Sequence, residues 1–403
     1  MSKFMNKLLL IFMVFVISAA TFEGFFVKWS FRDSDLSAER FSFEVMYDGT
    51  AHRPFVHRQL LISISKGVVE VLPYETKEIL RDKIQHDNFL TNKFKEVNIQ
   101  EKFLLEYYIV YFLSFACLFA SVFVWRRICI DLTESPLAGT LAPLAFTIIF
   151  PYLETNGGYF YDFSELLFFS LATLFALRGH YLALIFMTPL AEHNKESFFF
   201  FLLTLYPFLR RTQPLRKTII IIGVSMLLAL LTYLPIVSRF ADNGGGTFEI
   251  HFLGNIIVCL VLVYFFGVYL LCKKFYAKSP LLSYAFFAVF VVMMFVFRGS
   301  DFPLNFFDDF GHTYSVIGGE RVFLLHMAFI FWIVKSAWKF LDQSLKNYAL
   351  LALAINMPLI VLFGLVYELR NWSLTYPAFI ILIAFYLKDK LKEAELYRRN
   401  NND

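Results

Sequence analysis

The groups best suited to chemistry in this chain sit in a few short polar segments set between long apolar runs. The densest is Glu192-His193-Asn194-Lys195-Glu196-Ser197. Six consecutive polar residues between two apolar stretches are hard to explain as packing. They place acids, an ammonium and an amide at one point, as expected of a re-entrant tip that reaches a water-filled cavity. A second segment runs Tyr47-Asp-Gly-Thr-Ala-His-Arg53-Pro54-Phe-Val-His57-Arg58-Gln-Leu-Leu61. Gly49 and Pro54 punctuate a turn, after which Arg53, His57 and Arg58 open an amphipathic helix. Guanidinium forks hold phosphate oxygens bidentately. The same cations are equally suited to snorkel to lipid headgroups.

Carboxylates supply the other half of the chemistry. Asp33 and Asp35 follow the first apolar run directly, where either is placed to act as a general base or to bind a divalent cation; a plain solvated loop has the same composition. Asp162 and Glu165, with Glu154 and Asn156 just ahead, are three residues apart and therefore share one helix face. Charge at such a helix start is also favoured by the dipole alone. Arg298, Asp301, Asp308, Asp309, His312, Glu320 and Arg321 form a looser polar stretch. Glu368 and Arg370 pair an acid with a base, in a salt bridge or a sugar-phosphate contact. No residues have the spacing of a metal site, so the metal reading is none, with a divalent cation left open as the one cofactor. No P-loop, GxSxG or HExxH occurs. Cys117, Cys129, Cys259 and Cys272 show no metal or disulfide spacing and read as inert packing.

The elements that must carry these groups are membrane helices. Of 403 residues 58% are hydrophobic and 17% charged, with 52 Phe and 21 Tyr, against about 45–50% apolar and about 25% charged in a soluble domain. Mean hydropathy is +0.59. No basic stripe with interleaved aromatics suggests nucleic acid. The fold expected is an all-α membrane protein of about twelve transmembrane helices. The spans are 8–27, 105–125, 138–153, 162–178, 180–191, 197–209, 218–237, 252–272, 280–297, 321–339, 348–366 and 373–387. Two of these, 180–191 and 197–209, are too short to cross alone.

Lys/Arg clusters set the orientation. Arg126-Arg127, Arg210-Arg211, Arg216-Lys217, Lys273-Lys274 and the tail from Lys388 to Arg399 fall on one side with Lys3 and Lys7. That side is read as cytoplasmic, with both termini on it. One polytopic membrane domain, 1–403, accounts for the chain. Its long extracytoplasmic loop, 28–104, carries two or three short amphipathic helices on the outer membrane surface, one of them with an apolar face at Leu60, Leu61, Ile64, Val68, Val69 and Leu72. Residues 388–403 form a cytoplasmic tail.

Together these pieces resemble the bacterial multi-pass glycosyltransferases of the GT-C superfamily, of the polyprenyl-phosphate-sugar dependent type. Pro54-Phe-Val-His57-Arg58 looks like a Pro-Phe-x-Tyr-Arg pattern of many such proteins, with His57 in place of Tyr. Asn194-Lys195-Glu196-Ser197 is similar to their Asn-Arg-Glu-Thr segment, with Lys195 for Arg and Ser197 for Thr. Glu368-Leu-Arg370 looks like their Glu-x-Arg near the last spans. The resemblance implies sugar transfer outside the cytoplasm, from a polyprenyl-phosphate-linked donor to a glycan or lipid acceptor of the cell envelope. It further implies Asp33 or Asp35 as the base. Arg53, Arg58, Lys195 and Arg370 would neutralise the lipid phosphate, and Glu196 and Glu368 would orient these cations. His57, Asp162, Glu165 and Asn194 complete the expected substrate-binding set. The competing readings are a surface-polysaccharide polymerase or ligase and a transporter or lipid flippase. The first normally has its large loop late in the chain. The second would draw on His326, Lys335 and Asn356 but lacks matching broken segments in two halves.

Overall fold

The structure, a computed structural model, describes residues 3–34, 38–86, 88–96, 99–153, 158–246, 331–363 and 369–400. The expected spans 252–272 and 280–297, part of 321–339, the polar stretch from Arg298 to Arg321, and Glu154, Asn156, Asp35 and Glu368 lie outside the described residues. What is described is helical, joined by turns. Among the described residues three helices are long and apolar enough to cross a membrane, Phe4–Val27, Glu101–Thr133 and Leu215–Arg239. This is the mark of a membrane protein.

The first belongs to α1 (Lys3–Ser34). The loop after it holds five short helices: α2 (Ala38–Phe41), α3 (Phe43–Asp48), α4 (Leu60–Val71), α5 (Tyr74–Gln85) and α6 (Phe89–Glu96). There are more of these, and shorter ones, than the two or three expected, because turns break the segment repeatedly. Gly49, at φ +75°, closes α3 by donating to the Met46 and Val45 carbonyls. The expected inner face of α4 is only partly right. Leu60, Leu61, Ile62 and Ser65 are buried, while Ile64 and Val68 are exposed. Ser65 faces inward because α4 packs on the next long helix, where its hydroxyl donates to the Glu106 carbonyl at 3.1 Å.

That helix is α7 (Leu104–Thr133), followed by α8 (Pro136–Leu153) and α9 (Asp162–Arg178). The turn between α7 and α8 is very close, since a Cβ on Gly139 would lie 2.5 Å from Ile130 Cγ1. The expected short pair becomes three pieces, α10 (Tyr181–Asn194), α11 (Ser197–Thr204) and α12 (Tyr206–Thr212). α13 (Leu215–Arg239), a helical stretch at 331–338, α14 (Gln343–Phe363) and α15 (Tyr376–Asn400) complete the described chain.

Phe and Tyr fill the space between helices, which explains their abundance. Trp29 and Phe26 of α1 meet Tyr107 and Tyr111 of α7, with Phe94 of α6 at 4.8 Å from Tyr107. Phe25, Phe150 and Phe163 bind α1, α8 and α9 together, with ring centroids 4.2 Å apart for Phe25 and Phe163. Such edge and tilted contacts are each worth about 0.5–1.5 kcal/mol beyond area burial. At the basic end, Asp131 accepts from Arg178 at 2.7 Å and from Arg127 at 3.0 Å, holding the ends of α7 and α9 together.

Candidate functional site

The site forms where the first loop meets the turn between α10 and α11. The Gln59 backbone N–H donates to the His193 carbonyl at 3.1 Å, and Ser63 Oγ lies 3.2 Å from His193 Nε2. This pairing brings Arg58 against Glu196. Arg58 Nη2 donates to Glu196 Oε1 at 2.5 Å and Nε to Oε2 at 3.1 Å, while Nη1 donates to the Tyr161 hydroxyl. The fork-to-fork geometry is that of a strong, directional ion pair. Burial would raise the Glu196 carboxyl, but the Arg58 guanidinium overrides it and holds the group at about 2.

Beside this pair lies a second one. Lys195 Nζ donates to Glu165 Oε2 at 2.7 Å and to Asp162 Oδ1 at 3.2 Å. Burial works against the ammonium, and the two carboxylates more than offset it, so its pKa is raised. Glu165 also accepts from the hydroxyls of Ser197 and Ser373, which ties the start of α9 to the start of α11 and to the segment before α15. Asp162 accepts the Tyr159 backbone N–H at 2.8 Å, and Asn194 accepts from Ser164 at 2.5 Å and donates to the Tyr161 carbonyl at 3.2 Å. Asp162 thus sits in the first turn of α9, where the dipole favours its charge, but its carboxylate holds Tyr159 and Lys195 rather than capping the helix.

Two buried tyrosines lie at the site's centre. Tyr159 and Tyr161 stack at 5.1 Å with an 8° interplanar angle. Arg58 lies 4.9 Å and Lys195 5.6 Å from the Tyr161 centroid, and Arg370 lies 4.7 Å from that of Tyr159. Three cations from distant parts of the chain thus surround one aromatic stack, an arrangement that cation–π attraction favours.

Neither family models, curated proteins nor solved structures give a match. The site is therefore read from its own geometry.

That geometry brings Arg58, Asp162, Glu165, Asn194, Lys195, Glu196 and Arg370 together. His57 is at its edge. Its Nδ1 lies 3.2 Å from Tyr233 Oη, and its buried Nε2 has no partner among the described residues. Burial pulls this imidazole down to about 4, so it is neutral at pH 7. Arg53 does not join the cluster. It donates to the carbonyls of Asn243 at 2.9 Å and Gly245 at 2.7 Å, and its backbone N–H donates to Gly244 at 2.8 Å. Asn243 returns two bonds, to the Gly49 and Ala51 carbonyls. Arg53 thus clamps the first loop to the turn that follows α13, away from the cluster.

Asp33 also lies apart. Its oxygens accept the Phe43 backbone N–H and the Tyr107 hydroxyl, both at 2.7 Å. Burial raises it to about 7 even though both bonds act to lower it, which suits a general base at neutral pH. An aromatic path links it to the cluster: Trp29 to Phe160 at 5.9 Å, then Phe160 to Tyr161 at 5.3 Å. Among the described residues no group of three His, Cys, Asp or Glu side chains has a metal-binding arrangement.

Sequence reasoning missed Tyr159, Tyr161, Tyr233 and Ser373. The first two had a signal, an aromatic triplet set immediately before Asp162 in a chain whose other polar segments carry charges. Tyr233 had none, being one aromatic in an apolar helix. Glu192 stood in the polar hexapeptide without a role. It is buried, with Oε2 unpartnered among the described residues. Burial, then the neighbouring Glu196 charge, push its carboxyl to about 9.

Proposed function

We propose that this chain is a membrane glycosyltransferase. It moves a sugar from a polyprenyl-phosphate-linked donor to a glycan or lipid acceptor on the extracytoplasmic face of a bacterial inner membrane. The supporting observation is the convergence of Arg58, Lys195 and Arg370 on the Tyr159–Tyr161 stack. A sugar offers apolar C–H faces and hydroxyls, and its leaving phosphate is anionic. An aromatic stack ringed by cations and carboxylates suits all three, and inside a buried site such charges act with little screening.

In this reading Arg370 and the Nη edge of Arg58 neutralise the departing phosphate, while Glu196 and the Asp162–Glu165 pair fix the cations. The acceptor oxygen attacks the anomeric carbon and gives up its proton to a base, for which the candidates are Asp35 and Asp33, the latter near neutrality but set apart from the cations behind Trp29 and Phe160. The bond from the anomeric carbon to the phosphate oxygen breaks, and the lipid phosphate leaves. The reading carries about twelve spans, both termini in the cytoplasm and the first loop outside, where cytoplasmic nucleotide sugars do not reach. Impermeant thiol labelling of single cysteines placed at Thr50 and His193 tests it. Labelling from the extracytoplasmic side supports the lipid-linked donor; labelling only after the cytoplasmic side is opened removes the reason for one.

A further inference from the structure

A second feature lies at the other, basic end of the bundle. α12 and α14 enclose an open groove of about 680 Å³, lined by Tyr206, Pro207, Arg210 and Arg211 on one side and Ser344, Asn347, Leu350, Leu351 and Ala354 on the other. Its volume falls in the range of about 300–1,000 Å³ usual for small-molecule sites. The lining is graded along its length, with two guanidinium groups and two polar side chains at one end and an apolar wall one to two helical turns further along α14. Tyr206 and Leu350 are exposed.

The charge is one-sided. From Tyr206 to Lys217 the chain carries Arg210, Arg211, Arg216 and Lys217 and no carboxylate. The facing start of α14 offers one acid, Asp342, whose Oδ2 accepts from Arg211 Nη2 at 2.5 Å. Arg211 Nε donates to Ser344 Oγ at 3.0 Å, and Arg210 Nη1 donates to the Gln213 carbonyl at 2.7 Å. A guanidinium has five N–H donors, so these bonds exhaust neither group. They hold both in place at the mouth of the groove.

We propose that this groove binds one anionic phospholipid. Its phosphate lies between Arg210 and Arg211, its glycerol region beside Ser344 and Asn347, and the upper part of an acyl chain along Leu350, Leu351 and Ala354. The polar-to-apolar gradient and the excess of cations select this ligand: a free anion has no use for the apolar wall, and a zwitterionic lipid gains less from the two arginines. Juxtamembrane cations are drawn to an anionic surface, and a shaped groove adds a fixed stoichiometry. The site is separate from the Tyr159–Tyr161 cluster and does not depend on the transfer reading.

The test uses the purified full-length chain in a neutral detergent, observed by native mass spectrometry. It is titrated separately with dioleoylphosphatidylglycerol, dioleoylphosphatidylcholine and inorganic phosphate. One phosphatidylglycerol per chain is expected to saturate, with phosphatidylcholine weaker by roughly tenfold or more, since its phosphate is the same but its choline brings a positive charge beside the two arginines. Arg210→Ala lowers occupancy by a similar factor. Ala354→Trp keeps both arginines, fills the apolar wall and gives the same loss, while Asp342→Asn frees Arg211 and tightens binding. If Arg210→Ala does not fold, Ala354→Trp and Asp342→Asn decide the matter. Equal binding of the two lipids, an Ala354→Trp variant that binds as wild type, or inorganic phosphate that competes as well as the lipid would each overturn the proposal.

Discussion

Removing the charge of Glu196 while keeping its shape is the most informative perturbation of the site. In Glu196→Gln the Arg58 guanidinium stays buried beneath Tyr161 and loses its fork-shaped carboxylate partner. The structure sets the scale. Glu196 falls from an ordinary 4.5 to about 2, and at roughly 1.36 kcal/mol per pKa unit this corresponds to about 3 kcal/mol in favour of the charged form. Breaking a buried pair by deleting one partner costs about 3–5 kcal/mol, so the two routes agree. Because the folded pKa is depressed, this stability is fully present above pH 4.5 and is lost as pH falls from 4.5 toward 2. At pH 7 the variant therefore shows the whole deficit, and the difference from wild type narrows only in acid. The assay is denaturant unfolding in mixed micelles, followed by tryptophan fluorescence, for wild type, Glu196→Gln, Arg58→Gln and the double variant. The double variant is expected to cost well under the sum of the two singles, since it leaves no buried charge unpaired. A Glu196→Gln deficit below about 1 kcal/mol at pH 7, or strict additivity, would refute the buried-pair account.

Three further predictions follow from the same cluster and its supports. Glu192→Gln should stabilise the protein at pH 7, by up to about 3 kcal/mol. The wild-type carboxyl is raised to about 9, so stability present below pH 4.5 drains away up to about pH 9; the same micelle unfolding as a function of pH should show this slope in wild type and not in the variant. His57, lowered to about 4, is neutral when folded and protonated when unfolded between about pH 4 and 6.5, so wild type should lose stability as pH falls through that window and His57→Gln should flatten the loss. Gly245→Ala should destabilise by about 1–3 kcal/mol, because the residue sits at φ +78° and its Cβ would meet the Arg53 carbonyl oxygen at 2.6 Å; a change within 0.5 kcal/mol, roughly the range of surface substitutions, would remove Arg53 as a clamp.

Much of this site was legible before any coordinates. A polar hexapeptide between apolar runs cannot be left in lipid, and the structure pairs its Lys195 and Glu196 with the groups that the sequence offered, Asp162, Glu165 and Arg58. Short helices on either side were equally legible, since neither apolar run there reaches crossing length. What was hidden depends on tertiary partners. Arg53 and Arg58 are five residues apart and alike in type, yet one clamps the backbone of Asn243 and Gly245 while the other faces Glu196, and only long-range pairing separates them. The inward face of α4 was misread because its apolar arc, opposite Ser63, Lys66 and Glu70, is broad, so periodicity could not choose between Ile64 and Ser65 before α7 was placed. Tyr233 had no local mark at all. The gradient between α12 and α14 also joins residues over 130 positions apart, which no sequence window spans.

The most direct test of the central proposal is sugar transfer itself. The full-length protein in liposomes is offered radiolabelled polyprenyl-phosphate sugars, one donor at a time, with membrane glycolipid as acceptor, and wild type is compared with Arg370→Ala and Asp33→Asn. Arg370, packed on the Tyr159 ring, is less deeply buried than Arg58, which makes its removal a milder structural change. The account predicts that label moves to the acceptor with wild type for one donor. Transfer should fall at least tenfold in both variants while each remains folded, and phosphate-analogue binding should weaken only in Arg370→Ala. No transfer from any donor by folded wild type would contradict the enzymatic reading, and full transfer by both variants would contradict the site.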